Sequence, residues 1–146
     1  EHDETGRITE DLAYIRPRMN EKRALLKAQQ LTNNIIAPTL CGPEHYHNLV
    51  ICWGSTKQTV SEALNRMDRA DTAMLHLPQV YPLPQTLPRY LEKAENTFVL
   101  EQNATGQFAN VLHNETCHHP SERILKSDGL AFSVEDVMNE LESRLP

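Results

Sequence analysis

The stretch that most constrains this chain is Leu49-Val50-Ile51-Cys52-Trp53, an unbroken apolar run. A strand with one wet face alternates apolar and polar residues, whereas a continuous run calls for cover on both faces. Gly54-Ser55 then turns the chain, and Ser55 with Gln58 has the spacing of a capping box. Val60, Ala63, Leu64 and Met67 come next at i, i+3, i+4 and i+7, one face of a helix.

The same strand-then-helix pattern recurs. Ala73 to Leu77 reads as a strand. Pro78, Pro82, Pro84 and Pro88 stiffen the loop after it, and Pro88 confines the start of a short helix that turns Leu87, Tyr90, Leu91 and Ala94 inward. Thr97 to Glu101 is the third parallel strand, followed by a helix to about Thr116 that Cys117-His118-His119-Pro120 breaks. Arg123-Ile124-Leu125 suits a short edge strand. Ser133 with Asp136 forms a cap for a last helical stripe, Val134, Val137, Met138 and Leu141. Strands alternating with helices at this spacing predict a three-layer α/β/α fold with a mostly parallel sheet.

Within that frame, Glu101-Gln102-Asn103-Ala104-Thr105-Gly106-Gln107 lies where a strand ends, turns and enters a helix. Open α/β sheets place ligands at such carboxyl ends. Thr105 is suited to cap the helix and Gly106 to approach a neighbouring backbone, leaving the first helical N–H groups aimed at whatever faces the loop. Gly54-Ser55 and Gly106-Gln107 occupy two neighbouring turns and can together face an anionic group or a partner loop. Glu101, Gln102 and Asn103 either hold the loop through side-chain-to-backbone bonds or touch an adjoining domain. The candidate ligand or interface residues are therefore Gly54, Ser55, Glu101, Gln102, Asn103, Thr105, Gly106 and Gln107.

The amino-terminal part is different. Residues 1–12 are polar and acidic and read as linker. Residues 18–33 favour helix but carry a weak apolar stripe, Met19, Leu25, Leu26 and Leu31, which suits packing on another domain. Pro17 fits the first turn of that helix. The expected division is a linker with an interdomain helix over 1–35 and a domain over 36–146.

A net charge of −6 and the lack of a basic run disfavour nucleic acid as a partner. No apolar stretch approaches the roughly 18 residues of a membrane helix, and no signal peptide is evident. Cys41, Cys52 and Cys117 are scattered, which argues against a disulfide framework and for a reducing, cytoplasmic compartment. The sequons at Asn103 and Asn114 are read as chance on the same ground. His113 and Cys117 stand i, i+4 on one helical face, and His118 and His119 follow; this is a weak zinc alternative, unsupported by any Cys-x-x-Cys. Cys52, in a buried strand, reads as inert packing.

Leu49-Val50-Ile51-Cys52-Trp53-Gly54-Ser55-Thr56, then Met74-Leu75-His76-Leu77-Pro78-Gln79-Val80-Tyr81-Pro82, then Glu101 to Gln107, occur in one order with helix-sized gaps. With the opening Glu1 to Gly6, Lys22-Arg23 and Lys126 to Gly129, this set resembles the C-terminal, transketolase C-terminal-like domain of the alpha subunit of 2-oxoacid:ferredoxin oxidoreductases. The resemblance implies a five-stranded sheet with an antiparallel edge strand near Thr39-Leu40-Cys41. It also implies that the chain, which does not open on Met, is a domain of a longer subunit.

Enzymes of that family decarboxylate a 2-oxoacid, such as 2-oxoglutarate or pyruvate, to an acyl-coenzyme A and reduce ferredoxin. They use thiamine diphosphate, magnesium and iron–sulfur clusters. Clusters require grouped thiolates, and a diphosphate requires a Gly-rich cradle with acidic metal ligands; this chain has neither. The resemblance therefore implies a structural and assembly domain that binds no cofactor and is inactive alone. Its partners would be the rest of the alpha subunit and a thiamine-binding beta subunit, with ferredoxin and coenzyme A at the level of the complex. The alternative is an independent α/β module that binds a small ligand.

Overall fold

The computed structural model describes residues 1–21 and 33–146, which fall into two compact units, Glu1–Ile35 and Ile36–Pro146. Five strands form one sheet: β1 (Thr39–Cys41), β2 (Asn48–Trp53), β3 (Thr72–Leu77), β4 (Asn96–Glu101) and β5 (Glu122–Leu125). Their spatial order is β1-β3-β2-β4-β5. β2 runs parallel to both β3 and β4, β4 runs parallel to β5, and β1 alone is antiparallel, with Thr39 opposite His76 and Cys41 opposite Met74. The described helices are α1 (Leu12–Pro17), α2 (Lys57–Met67), α3 (Leu87–Leu91), α4 (Gln107–Thr116) and α5 (Val134–Glu142).

The unbroken apolar run is explained by what lies on each side of β2. Side chains alternate along a strand. Leu49 and Ile51 join Leu75, Leu77 and Val99 against Leu87 and Leu91 of α3 and Phe108 and Leu112 of α4. Val50 and Cys52 join Met74, Phe98 and Leu100 against Val60 and Ala63 of α2 and Val137 and Leu141 of α5. All of these are buried, and each large one contributes about 1.5–3 kcal/mol of transfer free energy. The central strands are thus sandwiched, giving the three-layer α/β/α architecture.

From β2 the chain crosses to β3 on one side; from β4 it crosses to β5 on the other. The carboxyl ends of β2 and β4 therefore flank the point where the winding reverses, the place where doubly wound sheets put ligands.

Two local expectations are corrected. Ser55 and Gln58 do not form a capping box. Gly54 takes a left-handed φ of 59° and starts a tight 3-10 turn, Gly54–Thr56, so the helix begins at Lys57 with Thr56 as its N-cap. The Thr56 hydroxyl donates to Trp53 O at 2.8 Å, closing that turn. Pro17 is the last residue of α1, which Asp11 caps by accepting from Ala13 N at 2.9 Å; it is not in a first turn. Within residues 1–12, read as linker, His2 and Ile8 pair in an isolated antiparallel bridge. Of the helix read over 18–33, Leu25, Leu26, Leu31 and the Lys22-Arg23 pair lie outside the described residues. The Ser133–Asp136 box forms in full: Asp136 N donates to Ser133 Oγ and Ser133 N to the Asp136 carboxylate, both at 3.0 Å.

Candidate functional site

The turn after β4 is built on one carboxylate. Alternation along β4 sends Glu101 to the same side as Val99, beneath α4, where it has no exposed surface. Its Oε2 accepts from Phe108 N at 2.7 Å and from Asn103 Nδ2 at 2.8 Å, and its Oε1 accepts from Ala109 N at 2.9 Å. Asn103 Oδ1 accepts from Thr105 N at 3.1 Å and Gln107 N at 3.2 Å. A buried carboxylate is tolerable only with donors of this kind, and the positive end of a helix favours it further.

This arrangement corrects the expectation that the first N–H groups of α4 face outward. The N–H groups of Gln107, Phe108 and Ala109 are all taken by the loop's own side chains. Thr105 is not the cap. Gly106 is the N-cap residue, at φ 63°, with no side-chain cap of its own. Nor does Gly106 approach a backbone: a Cβ there would meet Arg123 Nη1 at 3.2 Å and Arg123 Cδ at 3.3 Å. Arg123 Nη1 in turn donates to Asn110 Oδ1 at 2.9 Å. Gln102 turns away from this network, its Nε2 donating to Leu130 O at 3.4 Å.

The neighbouring turn, after β2, is held from β3. His76 is buried, and its Nε2 lies 3.2 Å from Gly54 O. A carbonyl only accepts, so Nε2 carries the proton and Nδ1 is a bare acceptor, which finds no partner. Burial is the main cause holding the His76 pKa below its ordinary value, which keeps the ring neutral. Ser55 is exposed, and a Cβ at Gly54 would meet open space. Cys52, just below, has its thiol pushed up to about 12, chiefly by burial. It is inert as a nucleophile at neutral pH.

Parallel β2 and β4 thus bring Gly54 and Ser55 to the same edge as Gln102, Asn103, Thr105, Gly106 and Gln107, with Glu101 buried beneath. Of the zinc alternative, His113 and His119 come together, whereas Cys117 and His118 are engaged elsewhere. Cys117 leaves α4 at a left-handed φ of 59°, His118 Nε2 is 2.9 Å from Thr97 Oγ1, and His113 stacks on His119 with ring centroids 4.0 Å apart. Among the described residues, no group of three or more His, Cys, Asp or Glu is placed to hold a metal ion. The residues do not fit a diphosphate at the α4 N-terminus, where Glu101 already sits. They do not fit an iron–sulfur cluster either, since such a cluster takes four thiolates and the chain has three scattered cysteines, half-buried Cys41, buried Cys52 and exposed Cys117.

Against known proteins, 136 residues align at 32% identity with the 2-oxoacid:ferredoxin oxidoreductase 2 alpha subunit of Aeropyrum pernix, covering 88% of this chain. The chain is a homologue of part of that alpha subunit. It spans 21% of the relative's length. The 2-oxoglutarate:ferredoxin oxidoreductase of Magnetococcus marinus, solved with 2-oxoglutarate, coenzyme A and succinyl-CoA bound, shares its fold. The TM-score is 0.72 at 23% identity, over 98% of this chain and 25% of that one. The alpha chain of a probable 2-oxoacid ferredoxin oxidoreductase from Thermoplasma acidophilum gives 0.50 at 20% identity, over 73% of this chain and 94% of that one. No family model matches the chain.

In this alpha-subunit homologue, Arg123, Asn110 and His76 were invisible as site residues in the sequence. Each reaches the two turns from a different element. The one available signal was Glu101 itself, a charge ending an apolar run.

Proposed function

We propose that this chain is the C-terminal domain of the alpha subunit of a 2-oxoacid:ferredoxin oxidoreductase. The whole enzyme would convert a 2-oxoacid such as 2-oxoglutarate or pyruvate to its acyl-coenzyme A in the cytoplasm and pass the electrons to ferredoxin. Residues 36–146 are the domain proper, and 1–35 the linker and interdomain helix that joins it to the rest of the subunit. The domain's own role is assembly. Thiamine diphosphate, magnesium and the iron–sulfur cluster belong to other parts of the complex, with a thiamine-binding beta subunit among the partners. Gly54, Ser55, Gln102, Asn103, Thr105, Gly106 and Gln107 form an interface edge rather than a ligand site.

The observation that carries the non-catalytic reading is the Glu101 carboxylate on Phe108 N and Ala109 N. It occupies the helix terminus an anionic cofactor or substrate would need, and so also disfavours an independent ligand-binding module. The test is 2-oxoacid-dependent reduction of a viologen dye with coenzyme A. The intact alpha subunit with its beta subunit should turn over; residues 36–146 alone should not. Dye reduction by the fragment would overturn the assembly role, and an inactive intact complex would overturn the enzyme assignment.

A further inference from the structure

The two edges of the sheet differ in charge. At the carboxyl edge the connections are Gly54–Thr56 after β2, residues 78–86 after β3 and 102–106 after β4, with 36–38 entering antiparallel β1. None contains an Asp, Glu, Lys, Arg or His, in a chain that is 23% Asp, Glu, Lys and Arg. The connection after β5 carries Lys126 and Asp128, with the ammonium paired to Asp128 at 3.0 Å and to Asp136 of α5 at 3.1 Å, and Arg123 of β5 lies against Gly106. The opposite edge carries Glu44, His45 and His47, then Asp68, Arg69 and Asp71, then Glu92, Lys93 and Glu95, then His118 and His119.

The exposed apolar side chains obey the same division. Within residues 36–146 the large exposed ones are Ile36 (55%), Tyr81 (62%), Leu125 (38%) and Leu130 (69%). All four lie at the carboxyl edge. Ile36 N donates to Gln79 Oε1, just past β3; Tyr81 is in the loop after β3; Leu125 ends β5; and Leu130 O accepts from Gln102 past β4. The loops that carry them are stiff before any contact. Pro78, Pro82 and Pro84 restrain one. The other is fixed by the Lys126 pairs, by Leu130 N on Asp128 Oδ1 at 3.0 Å and by Lys126 N on Glu101 O at 3.1 Å.

We infer that this edge is the docking surface by which the domain seats on another folded part of the same alpha subunit, on a largely apolar protein surface. The inference rests on the proposed function above. Interface cores are depleted in charge and built on apolar anchors, and loops already ordered lose little entropy on docking. The chain spans only 21% of its relative's length, so most of such a subunit is free to supply the mate.

The test is hydroxyl-radical footprinting of the intact alpha subunit, alone and with its beta subunit, read by mass spectrometry. Tyr81 and Leu130 should be modified several-fold more slowly than their exposure here dictates, in the subunit alone and at every protein concentration, while His45 at the opposite edge reacts freely. Tyr81 and Leu130 reacting as exposed side chains would overturn the inference. So would protection that requires the beta subunit, or that grows with concentration as for a second copy. As a second arm, the pair Tyr81→Asp and Leu130→Asp should make the intact subunit several-fold more sensitive to limited proteolysis, and Glu95→Lys should not; equal sensitivity counts against the docking surface. Dye reduction by the same preparations separates the two readings. An active enzyme with a freely labelled edge refutes docking alone, and an inactive one with a protected edge refutes the enzyme assignment alone.

Discussion

Glu101 Oε2 and Phe108 N, seven residues apart, are joined at 2.7 Å in a fully buried hydrogen bond. One side chain at a strand's end thereby caps the helix beyond the turn, and the loop between them closes on itself.

Removing that carboxylate should be costly. Glu101→Leu leaves the N–H groups of Phe108 and Ala109 buried without acceptors, at about 1–3 kcal/mol each. Glu101→Gln retains one acceptor oxygen and should lose roughly half as much. Urea unfolding of residues 36–146 reads both; midpoints within error of the parent for both variants would refute the capping role.

Gly106→Ala should destabilise. A helix-propensity argument alone favours Ala, but Gly106 is left-handed at φ 63°, where an L-residue loses roughly 1–2 kcal/mol, and the new methyl would press on Arg123. Gly106→Asn, which tolerates this conformation better, should retain more of the conformational part. The melting temperatures of the two variants decide it: Ala at or above the parent would mean the turn has relaxed.

Stability should fall on mild acidification. His76 and His118 both have folded pKa values below the ordinary 6.5, each chiefly through burial. A base with a depressed folded pKa binds its proton more readily when unfolded. Its stabilising contribution is full above pH 6.5 and is lost as pH drops through the lowered folded value. Urea midpoints between pH 8 and 5 should decline, and His76→Gln together with His118→Gln should flatten the slope. An unchanged slope in the double variant would assign the decline elsewhere.

Thiol reactivity should divide by position. Cys117 is exposed, whereas the Cys52 thiol is pushed up to about 12 inside the β2 face packed on α2. A disulfide reagent at pH 8 should modify Cys117 rapidly and Cys52 only on unfolding. Cys117→Ser should remove the fastest phase, leaving half-buried Cys41 of the edge strand as the other thiol open to reagent in the folded state. Prompt modification of Cys52 in that variant would show that the sheet opens under native conditions.

Much of this protein was determined by sequence alone. The five apolar residues Leu49 to Trp53, the stripe from Val60 to Met67 and the Ser133–Asp136 box are local patterns. Period, run length and cap spacing are set by backbone geometry that any chain shares, so the strands, helices and layers were legible in them. The antiparallel β1 edge came from a family resemblance, not from its three residues. The turns were decided by tertiary structure. Ser55 and Thr105 had the chemistry of caps, but Gly54 and Gly106 adopt left-handed conformations that shift both helix starts past them. Glu101 reaches the N–H groups of α4 because β4 packs beneath that helix, and Arg123 and His76 arrive from β5 and β3. Such contacts join residues distant in sequence, and no spacing encodes them. Their geometry exists only once the sheet has assembled and brought its carboxyl ends to one edge.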